Sequence, residues 1–246
     1  MNLARLIKSP KPYIIKLKKV FYRHYWRILK KGTAVNCPVC NWQGKNFLKG
    51  RCPKCSSLAR TRLIPYSITY FKLSGERLNV LHVAPNRNEY LSAKRTLGDI
   101  KTYDKLDVRQ VAHVNLVQDL TQLTLADALY DRAIIWHVFE HIVEDTKAIS
   151  EVYRVLKPGG KLLVSVPIYP VNNSKTYEDP SIPYKDYEKV HGHDDHCRSC
   201  GLDYFKRFET VGFKTETLQV KDAPQSEINY YGLSVNHVVW CFTKRK

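Results

Sequence analysis

With 246 residues and 43% apolar content, the chain can bury one substantial core plus a small appendage. Forty Lys+Arg against 23 Asp+Glu give a formal net charge of +17, a field that favours phosphate-bearing partners, either nucleic acid or an anionic membrane surface. No run of 18 apolar residues argues for a transmembrane helix, and the N-terminus lacks the uninterrupted apolar segment of a secretory signal.

Residues Met1 to Val35 hold ten Lys/Arg and no acidic residue. Ile14, Leu17, Phe21, Tyr25 and Ile28 recur in steps of three and four, which places them on one helical face. Lys16, Lys19, Arg23, Arg27 and Lys30 follow the same steps about half a turn away. Pro12 suits the first turn and Gly32 the end. An apolar-aromatic face opposite a basic one describes an interfacial helix. The same stripe would also serve to dock on the following domain, and the basic face would also serve an RNA-binding arm.

The segment 37-CPVCNWQGKNFLKGRCPKC-55 follows, with the spacing C-x2-C-x11-C-x2-C. Each Cys-Pro-x-Cys turn can aim two thiolates at one ion, so Cys37, Cys40, Cys52 and Cys55 form a candidate closed zinc site. A closed tetrahedral site leaves no open position, so the metal would be structural and coupled to local folding. Seven cysteines, four of them in these two pairs, suit a reducing compartment, and the expectation is a cytoplasmic protein.

From about Leu63 the pattern alternates strand and helix, the signature of a mostly parallel sheet covered on both faces. Predicted strands are Asn79–Ala84, Ile100–Tyr103, His113–Val117, Ala133–Trp136, Lys161–Val166, Phe213–Val220 and Val235–Thr243. Predicted helices are Asn88–Leu97, Thr146–Leu156 and Leu202–Val211. The last two strands have no helix between them, so the final one is expected to insert antiparallel. The loop after the first strand, Ala84-Pro85-Asn86-Arg87-Asn88, contains none of the glycines usual in a nucleotide-binding turn.

The run 130-YDRAIIWHVFEHIVEDTKAISEVYRVLKPGGKLLVSVP-167 resembles class I S-adenosylmethionine-dependent methyltransferases of the type 11 group. The resemblance rests on Tyr130-Asp131 before a buried strand, then His137-Val-Phe-Glu140-His141, then Glu151-x-x-Arg154-Val-Leu-Lys-Pro-Gly. A subset of that group carries Leu-His-x-Ala-Pro in place of the glycines and a preceding cysteine ribbon, as do Leu81-His82-Val83-Ala84-Pro85 and the segment from Cys37 to Arg62 here. The implied architecture is a Rossmann-like, seven-stranded α/β fold over 63–246, preceded by a basic helix over 1–35 and a zinc ribbon over 36–62. A substrate-lid insertion would occupy about 168–200.

By position, the resemblance implies that His82, Ala84, Pro85 and Asn86 form the turn beneath the cofactor's methionine part. Asp104, with Asp107 as competitor, would accept the ribose hydroxyls, Asp119 the adenine amino group, and Leu120 would floor the ring. His137 would lie beside the methionine and the acceptor. In the insertion, His196 oriented by Asp194 or Asp195 is the candidate base, and Arg198 and Tyr169 are candidate substrate contacts. A second metal is conceivable from His191, His193, His196, Cys197 and Cys200, although their spacing fits no clean ligand pattern.

The resemblance further implies O-methylation of a sugar or lipid-linked glycan intermediate of surface-polysaccharide biosynthesis, at the cytoplasmic membrane face. RNA base methylation is the alternative, since +17 suits a phosphate backbone. Against exocyclic amino methylation, Trp136-His137-Val138-Phe139 stands where an Asn-Pro-Pro-Tyr type motif would be. A third reading is a non-catalytic adaptor that retains the fold. No protein partner is inferable.

Overall fold

A computed structural model describes Phe21 and residues 25–246. Most of the expected lead helix, including Ile14, Leu17, Lys16, Lys19 and Arg23, lies outside the described residues. Its last turn is helical over 25–29, and Gly32 does not end it. Gly32 instead sits inside a strand, β1 (Lys31–Cys37), which pairs antiparallel with β2 (Trp42–Gly44) to form the cysteine ribbon's hairpin. Phe21, Tyr25, Ile28 and Leu29 are exposed, so this end of the apolar stripe does not dock on the domain.

Helix α1 (Ala59–Tyr70) leads from the ribbon into the sheet domain. The chain continues through β3 (Gly75–Val83), α2 (Arg87–Leu97), β4 (Gly98–Asp107) and β5 (Leu116–Val117). Then come β6 (Tyr130–Trp136), α3 (Asp145–Val155) and β7 (Leu156–Ser165). Short helices α4 (Tyr187–His191) and α5 (Lys206–Val211) precede β8 (Phe213–Gln219), α6 (Gln225–Tyr231) and β9 (Val238–Lys244). The strand order is β5-β4-β3-β6-β7-β9-β8, with β9 antiparallel to both neighbours as expected, although a helix, α6, does lie between β8 and β9, contrary to expectation.

Both faces of the central strands are buried, and the two-residue period divides them cleanly. Leu81, Val83, Ala133, Ile135, Leu162, Val164, Trp240 and Phe242 join the core beneath α3 and α5. Val80, Ile134, Trp136, Leu163, Val239 and Cys241 face the opposite core, packed by α1, α2 and α6. α1 was not foreseen, because Pro65 and a weakly sided pattern hide it. Pro65 falls within the helix, and Leu63, Ile64 and Ile68 carry its burial.

Arg62 ties the ribbon to this sheet. The residue is 1% exposed, and its guanidinium makes the contacts. It donates to the carbonyls of Ser57 (2.6 Å) and Gly50 (3.1 Å) in the ribbon and of Tyr231 (2.9 Å) and Gly232 (2.6 Å) at the C-terminal end of α6. It also lies 3.9 Å from the centre of the Phe47 ring. Burial works against its charge, while the neighbouring Cys37, Cys52 and Cys55 thiolates support it. Replacing Arg62 by Met would leave those carbonyls without their donor, at a cost on the order of 3 kcal/mol. Urea unfolding of Arg62→Met measures this, and a loss below about 1 kcal/mol would rule out the staple.

Candidate cofactor cleft and cysteine cluster

A cleft of about 730 Å³ opens at the C-terminal ends of β3, β4 and β6, where ligands sit in open α/β sheets. Its walls include Ala84, Asp107, Asp119, Leu120, His137 and His141, with Tyr184 and Asp195 reaching it from the insertion. Two of these residues adopt left-handed backbone without being glycine: Ala84 (φ 48°) and His137 (φ 53°). Each is the first residue beyond its strand, β3 or β6. The Ala84 N–H donates to Leu106 at 2.6 Å and the His137 N–H to Ser165 at 2.9 Å, so neighbouring strands hold both turns in place.

The glycine-free loop is thus a tight turn built on alanine. After it, Asn86 caps α2 by accepting from the N–H groups of Asn88 and Glu89, and the Glu89 carboxylate returns to the Asn86 N–H at 3.0 Å. Pro85 is held through its carbonyl, which accepts from His113 Nε2–H. Pro85 and Asn86 therefore shape the loop without lining the cleft. His82 is fully buried behind it, with Nδ1 2.7 Å from the Tyr103 hydroxyl, and burial pushes its pKa down to about 3. A neutral imidazole in the sheet interior offers no cofactor contact.

Asp104 is a correction. Pairing with β3 carries β4 on to Asp107, so Asp104 lies three residues short of the strand end, opposite Leu81. Its carboxylate accepts from the Tyr130 hydroxyl and Asn115 Nδ2, both at 2.8 Å, outside the cleft wall. Asp107, on the other face of the strand, is 7% exposed and lines the cleft. Its Oδ1 accepts from the Arg109 N–H at 2.9 Å. Asp119 lines the cleft too, and hydrogen bonds from the Thr121 N–H and hydroxyl hold its carboxyl below the usual range.

Arg198 is also corrected. It is 2% exposed, and its guanidinium donates to the carbonyls of Phe139, Ile142 (2.6 Å) and Val143 (3.0 Å) and to Glu178 (2.8 Å). Four of its five N–H groups are engaged and the side chain is buried outside the cleft wall, so the residue fastens the insertion to the loop after β6 rather than meeting a substrate anion. Tyr169 is partly exposed against Gly192 and lies outside the cleft wall. His196 is not oriented by Asp194 or Asp195. Both carboxylates pair instead with His193 Nδ1, at 2.8 and 2.6 Å, and Asp195 also lies 3.3 Å from His141 Nδ1. The cysteine-containing second metal set is not assembled: His191 bonds Ser199, Cys197 bonds the Glu140 carbonyl, and Cys200 is buried.

Near the N-terminus, Cys37, Cys40, Cys52 and Cys55 converge, with Sγ separations of 3.7 Å (Cys37–Cys55) and 3.6 Å (Cys40–Cys52). Four thiolates on a tetrahedral zinc at about 2.3 Å would stand about 3.8 Å apart, so the donor set fits zinc. The Ser57 hydroxyl lies 3.2 Å from both Cys37 and Cys55 sulfurs and can support their charge. The ribbon in turn braces the cofactor loop: Asn88 donates to the Cys55 carbonyl at 3.0 Å.

Residues 72–164 match a family model described as a methyltransferase domain. This stretch is similar to that family, and the fold around it is the class I methyltransferase fold. A probable S-adenosylmethionine-dependent methyltransferase of Mycolicibacterium smegmatis is 40% identical over 65 residues, covering 26% of this chain and 23% of that protein. The ubiquinone/menaquinone biosynthesis C-methyltransferase of Haemophilus ducreyi is 39% identical over 71 residues, 27% of each chain. The match thus spans about a quarter of the length of these curated relatives. Among solved structures, an S-adenosylmethionine-dependent methyltransferase of Mesorhizobium loti superposes with a TM-score of 0.53 at 12% identity, over 72% of this chain and 96% of that one. The Burkholderia thailandensis 1,6-didemethyltoxoflavin-N1-methyltransferase, solved with S-adenosylhomocysteine, gives 0.52 at 12% identity, over 76% and 79%. At such identities the likeness shows the fold.

Because the four sulfurs converge as one donor set, the purified protein is expected to carry one zinc per chain at this site. Elemental analysis should show that zinc lost in Cys37→Ser/Cys52→Ser, and equal zinc in both proteins would contradict the assignment.

Proposed function

We propose that this protein is an S-adenosylmethionine-dependent methyltransferase that O-methylates a sugar or glycan intermediate of surface-polysaccharide assembly at a membrane face. What supports the cofactor reading most is the cleft, with one acidic group at the end of β4 and a second beyond β5. S-adenosylmethionine would supply a sulfonium methyl that passes in line to the acceptor oxygen, with the carbon–sulfur electron pair returning to sulfur.

The chain's own part is alignment and exclusion of water. Asp107 would accept both ribose hydroxyls through charge-assisted hydrogen bonds, and Asp119 would accept from the adenine amino group, a reading supported by both lining the cleft. Leu120 and Leu106 give the ring apolar walls, and the Ala84 turn leaves room for the methionine part. His137 Nε2 is buried without a partner beside this space, free to meet a polar group of cofactor or acceptor.

The glycan reading draws on the insertion, which sets Tyr184 at the cleft mouth as an exposed aromatic face that suits a sugar ring. The exposed Phe21, Tyr25, Ile28 and Leu29 at the end of the basic lead suit peripheral contact with an anionic membrane, where lipid-linked glycans are built. Among the described residues no helix is long and apolar enough to cross a membrane.

Calorimetry with S-adenosylhomocysteine tests the cofactor site. Wild type is expected to bind in the micromolar range, and Asp107→Ala to lose about 1.5–3 kcal/mol. Asp104→Asn, outside the cleft, should change binding by less than about 0.5 kcal/mol. No binding by folded wild type would leave the non-catalytic adaptor as the better account.

A further inference from the structure

Two segments far apart in sequence bring imidazoles together at the cleft mouth. His141 follows β6, while His193 and His196 belong to the insertion. The His141 and His196 rings lie 4.9 Å apart edge-on, and His193 and His196 stack at 4.8 Å. If protonated together, such rings would repel one another. The Glu140 carboxylate beside them is 1% exposed, and its Oε2 has no partner. An orphaned carboxylate oxygen at that depth is costly unless a donor or a cation meets it.

The spacing favours a cation. His141 Nε2 and Glu140 Oε1 are 3.8 Å apart, too far for a hydrogen bond. Two ligands on one first-row ion, each at about 2.1 Å, stand about 3.0–4.2 Å apart depending on the angle between them. Ligand atoms of Glu140, His141 and His196 all fall within 4.8 Å of one another. His141 Nδ1 lies 3.1 Å from the Asp195 carbonyl oxygen and 3.3 Å from its Oδ1, acceptors that fix the tautomer leaving Nε2 to a metal.

We propose that Glu140, His141 and His196 form a second metal site, taking a divalent first-row transition ion and oriented by Asp195. It is separate from the four-cysteine cluster in residues and in chemistry. Three protein ligands leave coordination positions open, and His141 lines the cofactor cleft, so those positions face the space above it. The ion clamps the insertion onto the loop after β6. Its consequence for catalysis rests on the methyl-transfer reading. An acceptor hydroxyl bound to the ion loses its proton to solvent more easily, and the resulting oxygen forms the new bond to the methyl carbon as the carbon–sulfur bond breaks.

The test uses the full chain, stripped with a mild chelator that leaves the cysteine-bound zinc, and cobalt(II) as the probe. One additional cobalt per chain should bind with the weak visible bands of nitrogen and oxygen ligation and without thiolate charge-transfer absorption. Glu140→Gln and His196→Asn should each weaken it more than about 100-fold, with the cysteine-bound zinc and circular dichroism unchanged. Glu140→Gln keeps the side chain's shape, so it reads ligation even if the histidine variant folds poorly. Absence of that cobalt, or unaltered binding by Glu140→Gln, would overturn the site. S-adenosylhomocysteine calorimetry on the same samples separates the two claims: cofactor binding without cobalt sinks only the metal site, and cobalt without cofactor binding sinks only the methyl-transfer reading.

Discussion

The buried guanidinium of Arg198 sets the shape of the functional end of this molecule. It stands between the carbonyls of Phe139, Ile142 and Val143 on one side and the carboxylates of Glu178 and Asp145 on the other. Arg207 completes the group by pairing with the same two acids, and the Tyr204 hydroxyl donates to Asp145 at 2.6 Å. Two cations against two anions leave no net buried charge, and each guanidinium donor that meets a carbonyl reduces the desolvation cost of the ion pairs. A long insertion between β7 and α5 is thereby made a fixed wall of the cleft. Asp195, His196 and Tyr184 hold their places because this wall does.

The opposite wall depends on backbone. Ala84 and His137 leave neighbouring parallel strands through left-handed turns, and each is held by an N–H bond to the next strand. The ribbon supports the first of these from outside. Arg95 donates to the Pro38 and Val39 carbonyls at 2.9 Å, and Asn88 to Cys55, so α2 is clamped at both its start and its last turn. A structural metal some distance from the cleft can in this way stiffen the loop beneath a cofactor without touching it.

Much of this was legible in the sequence where chemistry and period coincide. The short buried runs Val80 to Val83 and Ala133 to Trp136 marked the strands, and Lys157-Pro158-Gly159-Gly160 marked the end of the helix, although these four residues belong to β7. The C-x2-C pairs gave the sulfur cluster. The acid of the second strand was misplaced because Asp104 and Asp107 are three residues apart on one strand, and only pairing with β3 shows which of them reaches its end. Arg198 was misread because an arginine in a polar loop carries no sequence signal of its partners, three of which are backbone carbonyls. His141 stood in a recognised motif, but its meeting with His196 depends on how the insertion folds back, which local pattern does not encode.

Charge and exposure bear on the acceptor. The formal +17 would serve an anionic membrane or an RNA backbone equally, whereas exposed aromatic and aliphatic side chains beside the basic residues serve a lipid surface better. The most direct measurement is transfer of labelled methyl groups from S-adenosylmethionine into a whole-cell extract, separated into lipid-linked glycan and RNA fractions. Label in the glycan fraction, abolished by Asp107→Ala, is the predicted result; label confined to RNA would contradict the account.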